Sequence, residues 1–144
     1  MSKISERIYS VGVNDSIKEL FEGLWPLPFG VSYNSYIVAD EKIALIDTVE
    51  QGFEDEFLEN VREAIADRPI DYLVVNHMEP DHSSLISYMQ ARYPGIRIVA
   101  NAKTLPMLKG YYGVPEEDVL VVAEGGELSL GSCSLKFYMA PMVH

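Results

Sequence analysis

Cysteine is nearly absent: Cys133 is the only one in 144 residues. That rules out an intrachain disulfide and a CxxC metal cluster, and it makes a reducing compartment, the cytoplasm, the expected setting. Cations are scarce as well, with 11 Lys and Arg against 22 Asp and Glu and a formal net charge of −11. The balance excludes sequence-independent binding to nucleic acid or to an anionic membrane surface, both of which need clustered positive charge. Long hydrophobic runs are also missing. No stretch approaches the ~20 apolar residues that span a bilayer, so the chain reads as soluble. Internal repeats, low-complexity tracts and Ser/Gly linkers are lacking too. What is present, a 48% hydrophobic fraction, suits a packed domain and excludes wholesale disorder. Cys133 is expected as a small buried apolar residue in a late strand.

Hydrophobic periodicity divides the chain into alternating elements. Ile8–Val13 alternates as a first strand, and Tyr33–Val38 and Lys42–Asp47 read as a hairpin about the polar turn Asp40-Glu41. Between them, Leu20–Gly30 is aromatic but interrupted by Pro26 and Pro28, which suit neither a helix nor a central strand. This segment is expected to pack as a buried flap, with a pocket wall as the other reading. Phe53, Phe57, Val61 and Ile65 recur at four-residue steps, predicting an amphipathic helix that Pro69 helps to end. Further strands are expected at Asp71–Val75, Ile96–Ala100, Val119–Val122 and Leu135–Met139, the last two joined through Glu124–Glu127. Helices are expected from about Ser83 to Arg92, and around Leu105, Leu108 and Tyr112 with Pro106 in the first turn. An early hairpin followed by alternating helices and strands predicts an α/β layered domain with a mixed sheet.

The most informative string is Asn76-His77-Met78-Glu79-Pro80-Asp81-His82, directly behind the apolar run Tyr72–Val75. Two imidazoles and two carboxylates fall within six residues, where a buried strand should open into a loop. In an extended segment His77 and Glu79 project to the same side, whereas the adjacent Asp81 and His82 point differently. Two metal ions a few ångströms apart could divide the four, His77 and Glu79 to one, Asp81 and His82 to the other. The nitrogen and oxygen donor set lacks thiolate, which disfavours structural zinc and suits iron, manganese or catalytic zinc. Asp81 or Ser83 could cap the following helix.

The string resembles the metal motif of the metallo-β-lactamase superfamily, His-x-His-x-Asp-His, with Glu79 in place of the second histidine. That replacement resembles the flavodiiron (A-type flavoprotein) branch. Gly30–Tyr36, Ala44–Val49 and Ala140–His144 are similar to the same branch, so the likeness runs through essentially the whole chain. It implies the first half of an αββα sandwich: α/β, a mixed sheet with helices on one face. It implies a two-iron site in which His77, Glu79 and His144 bind one iron while Asp81 and His82 bind the other. Asp47 resembles the superfamily's buried aspartate beside the metal loop, a support rather than a ligand. The activity implied is reduction of O2 to water or of NO to N2O. Electrons would come from FMN in a flavodoxin-like domain, supplied by a redox protein such as rubredoxin.

Against the family pattern, the chain ends at His144 before the remaining ligands, the second half of the sandwich and the FMN domain. Residues 1–144 therefore read as one partial, truncated or split domain whose own metal affinity should be weakened or lost. A sheet face left without its partner would be a large apolar patch, and a two-fold homodimer is expected to cover it. Two other functions stay open. One is a hydrolase using metal-activated water, against which Glu79 counts because the hydrolases resemble the His-x-His form. The other is an inactive fragment without turnover.

Overall fold

A computed structural model describes residues 1–21 and 23–141. The chain opens with short strands: β1 (Ser2–Lys3), β2 (Ile8–Ser10), β3 (Val13–Asp15), β4 (Leu20–Phe21), β5 (Trp25–Pro26) and β6 (Val31–Tyr33). Longer elements follow: β7 (Tyr36–Ala39), β8 (Ile43–Ile46), α1 (Glu54–Ile65), β9 (Tyr72–Val74), α2 (Pro80–Ser83), α3 (Ile86–Arg92), β10 (Arg97–Asn101) and α4 (Leu105–Tyr112). A 3-10 turn at Glu116–Asp118 leads into β11 (Val119–Val122), and the hairpin β12 (Glu127–Ser129) and β13 (Ser134–Lys136) comes last.

Among the described residues, seven strands form one sheet in the order β1-β2-β7-β8-β9-β10-β11. Pairing is antiparallel from β1 to β8 and parallel from β8 to β11. The mixed sheet expected from the sequence is therefore present, with its sense changing at β8. The parallel half follows from chemistry: Ile43–Ile46 of β8, Leu73 and Val74 of β9, and Ile98–Ala100 of β10 are apolar runs, buried enough to need cover from crossover helices.

Strand alternation divides the core. Ile37, Ile43, Leu45, Leu73, Val75, Ile98 and Ala100 point to one face and cluster with Phe57, Val61 and Ile65 of α1, Ile86 and Met89 of α3, and Leu108 of α4. The helices thus lie on one face. On the opposite face Ala44 and Val99 are 0% exposed and Val74 is 7% exposed. The bare apolar face expected there is not what the described residues show, because the chain's own late segment approaches it. Leu130 O accepts from Lys42 N, and Cys133 N donates to Asp40 Oδ2, which pins the β12–β13 hairpin to the β7–β8 turn. Phe137–Pro141 and the sheet residues Val74, Val99 and Val122 then face one another across a cleft of about 730 Å³.

Several expectations change. The first strand breaks into β2 and β3 at Gly12, whose Cα lies so close to the chain that an added Cβ would sit 2.2 Å from Tyr33 O. The aromatic flap is exposed rather than buried: Leu24, Trp25 and Phe29 are 74%, 66% and 95% accessible. Gly23 and Gly30 at φ +71° and +75° turn the chain at either end of the two-residue ribbon β4–β5, too short to fold back over the core. Its residues do not line the cleft either. Cys133 lies between β12 and β13, half-buried, instead of within a strand. The strand expected over Leu135–Met139 is the shorter β13, and it pairs antiparallel with β12, which follows the Glu124–Glu127 bend. Among the described residues no helix is long and apolar enough to cross a membrane.

Candidate metal centre

β9 ends at Val74, and Val75 N still donates to Val99 O of β10 before the chain leaves the sheet. Asn76–Glu79 then form an open loop at the end of a parallel strand, and α2 begins at Pro80. Pro80 is a natural first helical residue because its missing N–H has no partner to lose there. The helix therefore starts three residues earlier than expected, and Asp81 and His82 sit on its single turn. Neither Asp81 nor Ser83 caps it: Glu79 occupies the cap position at φ −66°, ψ 149°, without a side-chain cap bond. The Glu79 carbonyl accepts from the amides of His82 and Ser83, so the loop and the turn are locked together.

This geometry brings three of the four predicted side chains, His77, Glu79 and Asp81, into one group, with His82 beside it against Asp81. Nitrogen and carboxylate oxygens of His77, Glu79 and Asp81 lie within 4.8 Å of one another. His77 Nε2 is 3.5 Å from Glu79 Oε2, and His82 Nε2 is 3.7 Å from Asp81 Oδ2. The two imidazoles meet edge to face at 5.5 Å between centroids. Opposite donors around an ion at about 2.1 Å would be about 4.2 Å apart, so the observed spread needs only small side-chain adjustments. Asp81 faces His77 and Glu79 as well as His82, which places it between the two pairs read from the sequence. His144 lies outside the described residues.

Whether these residues suit a metal is tested by His82 Nδ1. That atom is buried and has no hydrogen-bond partner among the described residues. A buried polar nitrogen left in that state is costly, and an imidazole beside carboxylates, with no thiolate, is a donor set for iron, manganese or catalytic zinc. The residues fit.

Asp47 reaches the loop through the backbone. Its Oδ1 accepts from Asn76 N at 2.7 Å and His77 N at 3.1 Å, which fixes the direction in which the His77 side chain leaves. Asp47 is only 8% exposed and sits at φ +57°, a left-handed conformation that aspartate tolerates better than most residues. Its own N–H donates to Val74 O, and its carbonyl accepts from the buried Ser35 hydroxyl. Burial pushes the Asp47 carboxyl above its ordinary range, while the amides of His77 and Asn76 pull it down.

Three supports escaped the sequence reading. Thr48 donates both its N–H and its hydroxyl to His82 O at 2.8 and 2.9 Å. Ser84 Oγ donates to Val49 O, adding a second tie between the segment after β8 and α2. Ser83, fully buried, contacts Met78 O, Glu79 O and the Tyr112 hydroxyl. Adjacency offered a signal for Thr48, next to Asp47, and for Ser83, next to His82. Tyr112 gave none, since it reads as part of an apolar helix stripe.

Residues 31–144 match the family described as ODP family beta lactamase. Flavo-diiron protein FprA2 of Clostridium acetobutylicum is 36% identical over 143 residues, covering 99% of this chain and 36% of that protein. An anaerobic nitric oxide reductase flavorubredoxin homolog of Escherichia coli O157:H7 is 36% identical over 98% of this chain and 35% of its own length. The chain thus spans about a third of the length of these curated relatives. Rubredoxin:oxygen oxidoreductase from Desulfovibrio gigas superposes with a TM-score of 0.92 at 31% identity, over 99% of this chain and 36% of that one. A B3 metallo-β-lactamase described as the first with an active-site glutamic acid shares the fold, with a TM-score of 0.72 at 17% identity over 95% of this chain and 50% of its own.

Proposed function

The chain belongs to the ODP family of β-lactamase-like domains and its relatives are flavodiiron proteins, and on that premise we propose that it forms part of an oxidoreductase that reduces O2, NO or both at a non-haem diiron site. By the family resemblance, His77, Glu79 and His144 would hold one iron, and Asp81 and His82 would hold the other. The observation that carries this reading is the imidazole–carboxylate cluster of His77, Glu79 and Asp81, beside a buried His82 Nδ1 that has no hydrogen-bond partner among the described residues. Bound iron would supply one-electron chemistry and open positions for a diatomic substrate. The protein's share is positional. Asp47 orients His77 through its amide, Thr48 fixes His82 through its carbonyl, and the Glu79 carboxylate contributes a hard anionic donor that favours oxidised iron.

By the family resemblance, the electrons would come from FMN on a flavodoxin-like domain and would reach it from a redox protein such as rubredoxin. A cytoplasmic setting accords with the near absence of cysteine. A homodimer loses the support of a bare sheet face; the exposed flap carrying Leu24, Trp25 and Phe29 is one apolar surface that a second copy could cover. The test is consumption of O2 and of NO, followed by electrode, by the intact protein with a chemical reductant. Uptake of either gas that falls at least about tenfold in Glu79→Ala supports the reading. Uptake of neither, with hydrolysis of a lactam or thioester instead, overturns it.

A further inference from the structure

Ser83 has one hydroxyl proton and three polar neighbours: Met78 O at 2.8 Å, Glu79 O at 2.9 Å and the Tyr112 hydroxyl at 2.6 Å. Carbonyl oxygens only accept, so the serine proton is committed to the loop, shared between two carbonyls that flank the Met78–Glu79 step. The tyrosine is then the donor, and Ser83 Oγ accepts from it. Because Ser83 is 0% exposed, no water replaces a lost partner cheaply. Tyr112 is itself held in place. It closes α4, Gly113 follows in the left-handed conformation at φ +64° with its N–H on the last turn of the helix, and the tyrosine packs against the helix-side core.

We propose that Tyr112, acting through Ser83, is a positioning residue for the metal loop. The Tyr112–Ser83 pair holds the carbonyls of Met78 and Glu79 from the α4 side, while Asp47 and Thr48 hold Asn76, His77 and His82 from the β8 side. The loop is clamped between two elements far apart in sequence, so the Glu79 carboxylate is presented to His77 and Asp81 without depending on its own short loop for rigidity. Supporting hydrogen bonds of this kind typically change metal affinity by about 10–100-fold. The proposal rests on the reading of His77, Glu79, Asp81 and His82 as metal ligands.

The experiment titrates the intact, metal-free protein anaerobically with ferrous iron, comparing wild type, Tyr112→Phe, Ser83→Ala and the double variant. Tyr112→Phe removes one oxygen and leaves the ring packing intact. It should weaken iron binding about tenfold, and it should speed amide exchange at His82 and Ser83 in the metal-free protein. If Tyr112 acts through Ser83, the double variant binds iron no more weakly than Ser83→Ala. Wild-type affinity in Tyr112→Phe, or fully additive losses in the double variant, overturns this proposal and leaves the metal site standing. A wild type that binds no iron overturns the metal reading and this proposal with it.

Discussion

Replacing Asp47 probes the link between fold and site most sharply, because one carboxylate oxygen satisfies two backbone amides at the root of the metal loop. In Asp47→Ala both bonds go. Hydrogen bonds to a charged acceptor contribute about 1.5–3 kcal/mol each. Asn76 is exposed, so its amide regains water, and the loss there lies at the low end. The His77 amide is less able to do so. Alanine at φ +57° adds up to about 1 kcal/mol, since it lacks the local bonding that makes the left-handed region tolerable to aspartate. The expected destabilisation is about 3–5 kcal/mol. Asp47→Asn keeps an acceptor oxygen and the same backbone tolerance, and it should cost only about 1 kcal/mol. Urea unfolding of the metal-free protein at neutral pH measures both, read as midpoint shifts at constant slope. An alanine variant within about 0.5 kcal/mol of wild type, or an asparagine variant as unstable as the alanine, would refute the reasoning.

Gly12→Ala should destabilise by about 1–3 kcal/mol or more in a thermal melt, because its Cβ would meet Tyr33 O at 2.2 Å and Ser35 N at 2.9 Å, both backbone atoms. The Asp40 carboxyl is held down to about 2 from 3.8, first by the Cys133 side chain and then by the Cys133 amide, the Ser132 hydroxyl and Arg7. A folded-state value below the unfolded one contributes stability above pH ~3.8 that is lost as pH falls through about 2; the β12–β13 amide signals in NMR should shift over that window and not in Asp40→Asn. Asp40 in turn raises the Cys133 thiol, so Asp40→Asn should alkylate faster at mildly alkaline pH, and an unchanged rate would contradict the contact. Phe29→Ser, at a side chain 95% exposed, should leave the melting midpoint almost unmoved, equivalent to within about 0.5 kcal/mol.

The sheet and helices were legible where periodicity was strong. Phe57, Val61 and Ile65 place α1 on the helix-side core as their spacing requires, and Leu73 and Val75 join the same core at alternate positions of the β9 segment. The string from His77 to His82 was legible as a cluster of donors because four fall within six residues. What failed was anything set by distant partners. The aromatic flap looked buried by composition, yet nothing in a two-residue ribbon forces it inward. Asp81 looked like a cap until Pro80 moved the start of α2 ahead of it. Cys133 looked like a core residue, but its amide is claimed by Asp40, 93 residues earlier. Tyr112 matters through its oxygen, 29 residues from Ser83, and an apolar stripe says nothing about where a hydroxyl ends up.

The claim at the centre of this account is that His77, Glu79, Asp81 and His82 hold iron. Anaerobic reconstitution of the intact protein with ferrous iron, followed by metal analysis after desalting, tests it directly against a His77→Ala/Glu79→Ala variant of demonstrated fold. The account predicts about two irons per chain in the wild type, with a marked loss in the variant. Equal iron in both proteins, or a wild type that retains zinc and excludes iron, would contradict it.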